Sequence, residues 1–256
     1  MKKYKGYLID LDGTMYKGGE GIFGAILFVK ALYQKGIPYL FLTNNAAKTQ
    51  KEIAKQLQGY GILCEPRHVF TSAMAAAEVI AKEKPNAAVY MIGEAGLETA
   101  LREKGLVLTH IQPDYVVMGL DRQLTYEKLV KGALALQSGA KLISTNQDVA
   151  IPTEHGLIPG NGALTKVLQV SINAKPQFIG KPEAPIMQQA LQVLGTKCEE
   201  TLLIGDNYQT DIMAGIHFGM DTLCVFTGVT SREVLAKKDR QPTYCTDDLE
   251  EWIVYL

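Results

Sequence analysis

At 256 residues, 47% hydrophobic and 21% charged, the chain has room for one large domain or one domain carrying a second, at roughly 150 residues per domain. Its composition is that of soluble globular proteins and excludes disordered, collagenous and fibrous classes. Lys+Arg 26 against Asp+Glu 27 leaves a net charge of −1 with no long one-sign run, which argues against nucleic acid as a partner. No stretch approaches the roughly 20 apolar residues of a membrane span. The basic start at Lys2, Lys3 and Lys5 leads only into Tyr7-Leu8-Ile9 before Asp10, too short for a signal peptide. Cys64, Cys198, Cys224 and Cys245 form no CxxC pair, and the four histidines show no ligand spacing. The thiols are therefore read as reduced, the protein as cytoplasmic, and zinc as not expected.

Along the chain, short apolar runs alternate with helix-period segments. Tyr7–Ile9 reads as a strand, and Ile26, Val29, Leu32 and Tyr33 make a helical stripe closing at Gly36. Ile37–Leu42 is a second strand, followed by polar Thr43-Asn44-Asn45. Thr49 and Glu52 form a capping box for a helix carrying Ile53 and Leu57 and stopping at Gly59/Gly61. After Val69-Phe70, an Ala-rich helix runs from Ser72 toward Pro85. Val89–Ile92, Tyr115–Met118 and Lys141–Ser144 read as strands, with helices over 95–104 and 125–138. Ala163–Ser171 is a helix, Gln177–Ile179 a strand, and Ile186–Leu194 a helix capped by Gly195. Leu202–Ile204, a helix over Asp211–Phe218, Leu223–Phe226 and a short terminal helix complete the chain. This alternation predicts an α/β fold, a doubly wound, mostly parallel sheet with helices on both faces.

Four strands run directly into polar residues: Ile9-Asp10, Leu42-Thr43, Ile179-Gly180-Lys181 and Ile204-Gly205-Asp206. Ligands of open α/β sheets bind beyond the carboxyl ends of the strands. Brought together there, two carboxylates, a hydroxyl and an ammonium suit a phosphate with its metal. Asp10 and Asp12, two apart, leave an extended stretch on the same face, and Gly13 allows a tight turn that presents N–H groups. The pair offers a division of labour. Asp10 attacks phosphorus, and Asp12 protonates the leaving oxygen and then activates water. Asp206 is placed to ligate a hard divalent cation beside Asp10. Asp211, in the first turn of the next helix, orients water ligands, holds Lys181 or offsets helix charge. Asn207 serves the outer metal shell or a cap. Lys181 is a phosphate cation or a solvated charge, and Thr43 and Asn44 are phosphoryl donors or strand-end caps.

Asp10-x-Asp12-Gly13-Thr14, Thr43, Lys181, and Gly205-Asp206 with Asp211 match in order the four motifs of the haloacid dehalogenase superfamily, which the chain resembles over essentially its whole length. Leu42-Thr43-Asn44-Asn45, Ser144-Thr145-Asn146-Gln147-Asp148 and Pro159-Gly160-Asn161-Gly162-Ala163-Leu164 resemble the NagD-like, class IIA branch, and the long interval between Thr43 and Lys181 resembles a C2-type cap. The resemblance implies a HAD-like Rossmannoid core with an inserted α/β cap domain. It implies a Mg²⁺-dependent phosphomonoesterase, with Asp10 as nucleophile and Asp12 as acid/base. Mg²⁺ would be held by the Asp10 carboxylate, the Asp12 main-chain oxygen and Asp206, with Asp211 supporting the metal shell. Thr43, Asn44 and Lys181 would grip the phosphoryl group. Asn146 and Asp148 face the substrate's leaving group or form a polar turn, and Gly160-Asn161-Gly162 is read as a turn before a helix. The substrate classes implied are sugar phosphates, phosphorylated sugar acids and nucleoside monophosphates. Phosphoryl transfer on the same core and a catalytically silent metabolite-binding module are the alternatives. A homodimer is compatible with the resemblance, which leaves the oligomeric state open.

The motifs divide the length. Residues 1–77 and 178–256 carry them and are expected to form a discontinuous catalytic core, and 78–177 the cap.

Overall fold

The computed structural model describes residues 2–153 and 155–256. The strand Gly6–Ile9 lies at the centre of a six-stranded sheet, flanked by Thr201–Gly205 and Tyr39–Thr43. Beyond these lie Asp221–Val225 and then Tyr244–Thr246 on one side, and Val69–Thr71 on the other. Leu8 pairs with Leu203 and Leu40 in parallel registers, and Asp221–Val225 continues the parallel order. Successive residues of a strand point to opposite faces, so full burial of Tyr7, Leu8 and Ile9 means that both faces are covered.

One face packs against the helix Phe23–Gln34 through Phe28, Val29 and Leu32. Each such side chain stabilises the fold by about 1.5–3 kcal/mol on burial. That helix ends at Lys35, and Gly36 follows at φ +65. The helix Ala184–Leu194 closes on Gly195 in the left-handed region, as its sequence predicts.

The chain forms two compact units. The first comprises Met1–Thr43, Lys51–Phe70 and Lys181–Leu256, and the second Asn44–Gln50 and Thr71–Gly180. The second therefore takes in the expected 78–177 insert, extends beyond it at both ends, and includes a separate short loop. It has its own five-stranded parallel sheet, in the order Gln177–Phe178, Lys141–Ser144, Tyr115–Met118, Ala88–Ile92, Val107–Leu108. Ile92, Val116, Met118, Leu142 and Leu168 form its core.

Several local details depart from the sequence reading. The expected helix over 211–218 begins earlier, as a wide π-type turn Tyr208–Ile212 that passes into the helix Met213–Phe218. Asn207 caps that turn, and Thr230 accepts the Tyr208 N–H. Such widened turns concentrate at functional sites. The terminal helix is a 3₁₀ segment, Leu249–Tyr255. The hairpin strands Ala150–Thr153 and Gly156–Pro159 carry no alternating burial signal, being largely exposed, and were not anticipated. No helix among the described residues is long and apolar enough to cross a membrane.

Candidate active site

Parallel register places the functional residues of the first unit. Ile9 is paired with Ile204 and Phe41, so Asp10, Asp206 and Thr43 emerge together at the carboxyl edge of three adjacent strands. The Asp10 N–H donates to the Ile204 carbonyl at 2.9 Å, extending the ladder by one residue. Lys181, 1% exposed, reaches the same edge. Its Nζ lies 2.5 Å from Asp10 Oδ1, 2.7 Å from Asp211 Oδ1 and 2.8 Å from the Leu42 carbonyl. All three ammonium hydrogens thus have acceptors.

Asp206 is held from two sides. The Val229 N–H donates to its Oδ2 at 2.6 Å, and the Thr14 hydroxyl to its Oδ1 at 3.3 Å. Asp211 accepts Lys181 on one oxygen and the Asn207 N–H on the other, at 3.1 Å. Of the roles open for Asp211, the structure shows the grip on Lys181. Asn207 Oδ1 accepts the Gln209 N–H at 3.0 Å, the bond of a cap.

Asp12 is exposed and forms a bridge with Tyr16 around a tight turn. That turn needs Gly13. Its φ is +85, and a Cβ there would fall 2.5 Å from Asp206 Oδ2. Thr227 closes the turn by donating its hydroxyl to the Gly13 carbonyl at 2.5 Å.

Crowding of acids in a dry site shows in their protonation. Burial, then Asp10 and Asp211, push the Asp206 carboxyl up to about 8. Burial and Asp10 push Asp211 up to about 6, against the pull of Lys181. Burial also raises Asp10, partly offset by Lys181. Burial alone would lower Lys181, but Asp10 and Asp211 outweigh it and hold the ammonium charged.

In the second unit, Asn44, Asn146 and Asp148 meet one another. Asn44 Nδ2 donates to Asp148 Oδ2 at 3.1 Å, and Asn146 Nδ2 to the Asn44 carbonyl at 2.8 Å. Asn146 Oδ1 accepts the Asp148 N–H at 3.1 Å. Both ends of the Asn146 amide are thus engaged, the oxygen within its own loop and the nitrogen on Asn44, so this side chain clasps the two segments together. The nearby Asp121 pairs with Lys128 and Arg122 with Glu94, while Thr125 caps the helix Tyr126–Gln137.

The sequence pattern described as haloacid dehalogenase-like hydrolase matches residues 7–107, and a second HAD-hydrolase-like pattern matches 178–252. A 5'-nucleotidase of Bacillus subtilis, YutF, is 55% identical over 256 residues, the whole of both chains. The chain belongs to the haloacid dehalogenase-like hydrolases. An acid sugar phosphatase of Staphylococcus aureus is 52% identical over all of this chain and 99% of its own. The structure of a p-nitrophenyl phosphatase from Archaeoglobus fulgidus superposes with a TM-score of 0.94 at 32% identity, covering 100% of both chains. Within the family, this chain is a phosphatase of the NagD-like, class IIA group.

Haloacid dehalogenase-like hydrolases typically use a metal, and the donor set here fits a hard cation. One oxygen from each of Asp10, Asp206 and Asp211 lies within 4.8 Å of the others, all three residues being buried. Among the described residues one ammonium, Lys181, reaches these carboxylates, and Asp206 is raised first by burial and then by Asp10 and Asp211, a combination that a bound cation would relieve. Oxygen donors of this kind suit Mg²⁺ or a similar ion.

Sequence reasoning missed three supports of the site: Thr14 on Asp206, Thr227 on the Gly13 turn, and the Val229 N–H. Thr14 lies inside the Asp10–Thr14 motif and was in view. The 227–229 loop has no signal of its own, because it acts through backbone and a lone hydroxyl.

Proposed function

We propose that the chain is a Mg²⁺-dependent phosphomonoesterase of small phosphorylated metabolites, working through an aspartyl-phosphate on Asp10. The observation that carries this reading is the placement of the Lys181 ammonium between Asp10 and Asp211, with Asp206 in the same buried cluster.

Asp10 Oδ and Asp206, with the Asp12 main-chain oxygen, would hold the cation. When bound, it neutralises charge developing on the phosphoryl oxygens. Thr43 and Lys181 bind the phosphoryl group, and Asp211 keeps Lys181 aimed. The Asp10 carboxylate attacks phosphorus as the ester oxygen departs, and Asp12 gives that oxygen its proton. The Asp12 carboxylate then takes a proton from water. The resulting hydroxide attacks phosphorus, the Asp10–phosphorus bond breaks, and inorganic phosphate leaves with Asp10 regenerated. The inserted unit, in the manner of a C2-type cap, selects the leaving group. Nucleoside monophosphates and sugar phosphates are the first substrates to test, given the names of the relatives. Free thiols at all four cysteines accord with a cytoplasmic location.

Purified protein with Mg²⁺ is expected to release inorganic phosphate from an aryl phosphate and from a panel of phosphorylated metabolites, with Asp10→Asn abolishing release. Turnover that survives Asp10→Asn, or is undiminished in chelator, overturns the mechanism. Transfer of the phosphoryl group to an added alcohol without free phosphate would mark a transferase instead.

A further inference from the structure

The Gly160-Asn161-Gly162 turn plays no part in the chemistry above, yet its asparagine is bonded deep inside the inserted unit. Asn161, 2% exposed, opens the helix Asn161–Ile172. Its Nδ2 donates to the Asn146 carbonyl at 2.8 Å and to Ser144 Oγ at 2.9 Å, and approaches Thr145 Oγ1 at 3.3 Å. Its Oδ1 is buried and finds no hydrogen-bond partner. A buried acceptor left unpaired is costly, and its presence calls for an explanation. The explanation available is that the donor end of this amide does something the fold depends on.

What it holds is the loop leaving the strand Lys141–Ser144. Gly162 N donates to the Asp148 carbonyl at 2.8 Å, and Gly160 N to that of Val149 at 2.9 Å. A Cβ on Gly160 would fall 2.2 Å from the Asp148 carbonyl oxygen, and one on Gly162 2.2 Å from that of Gln147. Both glycines are therefore required by close approach of the loop.

The same loop grips two other residues of its unit. It holds Asn44 through Asn146 and Asp148, and it holds Gly180, whose N–H donates to the Thr145 carbonyl at 2.9 Å. A Cβ on Gly180 would fall 2.5 Å from both Asn44 Oδ1 and Thr145 O. Asn44 follows Thr43 in the chain, and Gly180 precedes Lys181. One loop thus anchors the covalent neighbours of both phosphoryl-binding residues.

We propose that Asn161 is a positioning residue, fixing the Thr145–Asp148 loop and through it the backbone on which Thr43 and Lys181 are carried. This rests on the assignment of Thr43 and Lys181 to the phosphoryl group. In the Asn161→Ala protein with Mg²⁺, KM for an aryl phosphate and Ki for inorganic phosphate are both expected to rise about tenfold, the equivalent of one well-placed hydrogen bond. The activation constant for Mg²⁺ is expected to stay unchanged. Ser144→Ala removes one of Asn161's acceptors and, with it, the Ser144 hydroxyl's own bonds to the Asn146 carbonyl at 3.0 Å and to Thr165 Oγ1 at 2.8 Å, so it loosens the same loop and should raise KM and Ki in the same way. If Asn161→Ala does not fold, Asn161→Asp, which keeps the size of the side chain and loses the Nδ2 donor, carries the test. Unchanged KM and Ki, with kcat lowered only in proportion to the folded fraction, overturn the proposal. Thr43→Val separates the two readings. If it leaves the phosphate Ki unchanged, the phosphoryl assignment fails. If it raises Ki while Asn161→Ala and Ser144→Ala do not, only the positioning role fails.

Discussion

The Nζ of Lys181 stands 2.5 Å from Oδ1 of Asp10, across 171 positions of sequence and inside the folded core. A lone ammonium buried there would be prohibitively costly, and so would the carboxylate. Each is tolerated because the other is present, with Asp211 as a second counter-charge. The pair is consequently structural and chemical at once.

Lys181→Met should therefore do more than slow turnover. Removing one partner of a buried pair leaves the other uncompensated, at a cost of about 3–5 kcal/mol. Urea unfolding is expected to show a loss of that order, together with loss of phosphate inhibition. A fully stable variant would show that Asp10 sheds its charge at little cost.

Asp12→Asn tests the proton donor separately from the nucleophile. General acid catalysis contributes roughly 10²–10⁴-fold, and an aryl oxide leaves without much help. The expected loss in kcat/KM is therefore large for an alkyl phosphate and markedly smaller for an aryl phosphate. Equal losses on both would remove Asp12 from leaving-group protonation.

Gly13→Ala places a methyl group against Asp206 in a left-handed turn. The backbone alone costs roughly 1–2 kcal/mol, and the displaced Asp206 should weaken cation activation. The measurement is the Mg²⁺ concentration for half-maximal activity, expected to rise. Gly18→Ala, at φ +62 but with nothing near its Cβ, is the control for backbone strain without the contact.

Protons and cation should compete for the acid cluster. Asp206 sits at about 8 in the folded chain without a metal, above its ordinary value of 3.8. A raised folded-state value favours folding below the ordinary value, and that contribution is lost as pH rises through about 8. In chelator, the cluster's contribution to stability should fall between about pH 4 and 8. A divalent cation should reverse this, raising Tm more at pH 8 than at pH 5; at a hundredfold excess over Kd the stabilisation is about 2.7 kcal/mol. An equal gain at both pH values would contradict proton–metal competition at these carboxylates.

Much of this site was legible in the sequence. Short apolar runs ending in Asp10, Thr43 and Asp206 are local signals, and in a parallel sheet such ends fall on one edge. Lys181 instead follows Gln177–Phe178 of the second unit's sheet, so its meeting with Asp10 was not a matter of shared strand order. Strand–helix alternation and the Gly195 cap are local for the same reason. The tertiary structure alone decided other matters. It turned Asn146 inward as a clasp, engaged Asp211 with Lys181, brought the Val229 N–H to Asp206, and drew Asn44–Gln50 into the inserted unit. These depend on atoms of residues far apart in the chain meeting within about 3 Å. Backbone periodicity is written residue by residue, whereas such meetings arise only once register and close packing have set the distances.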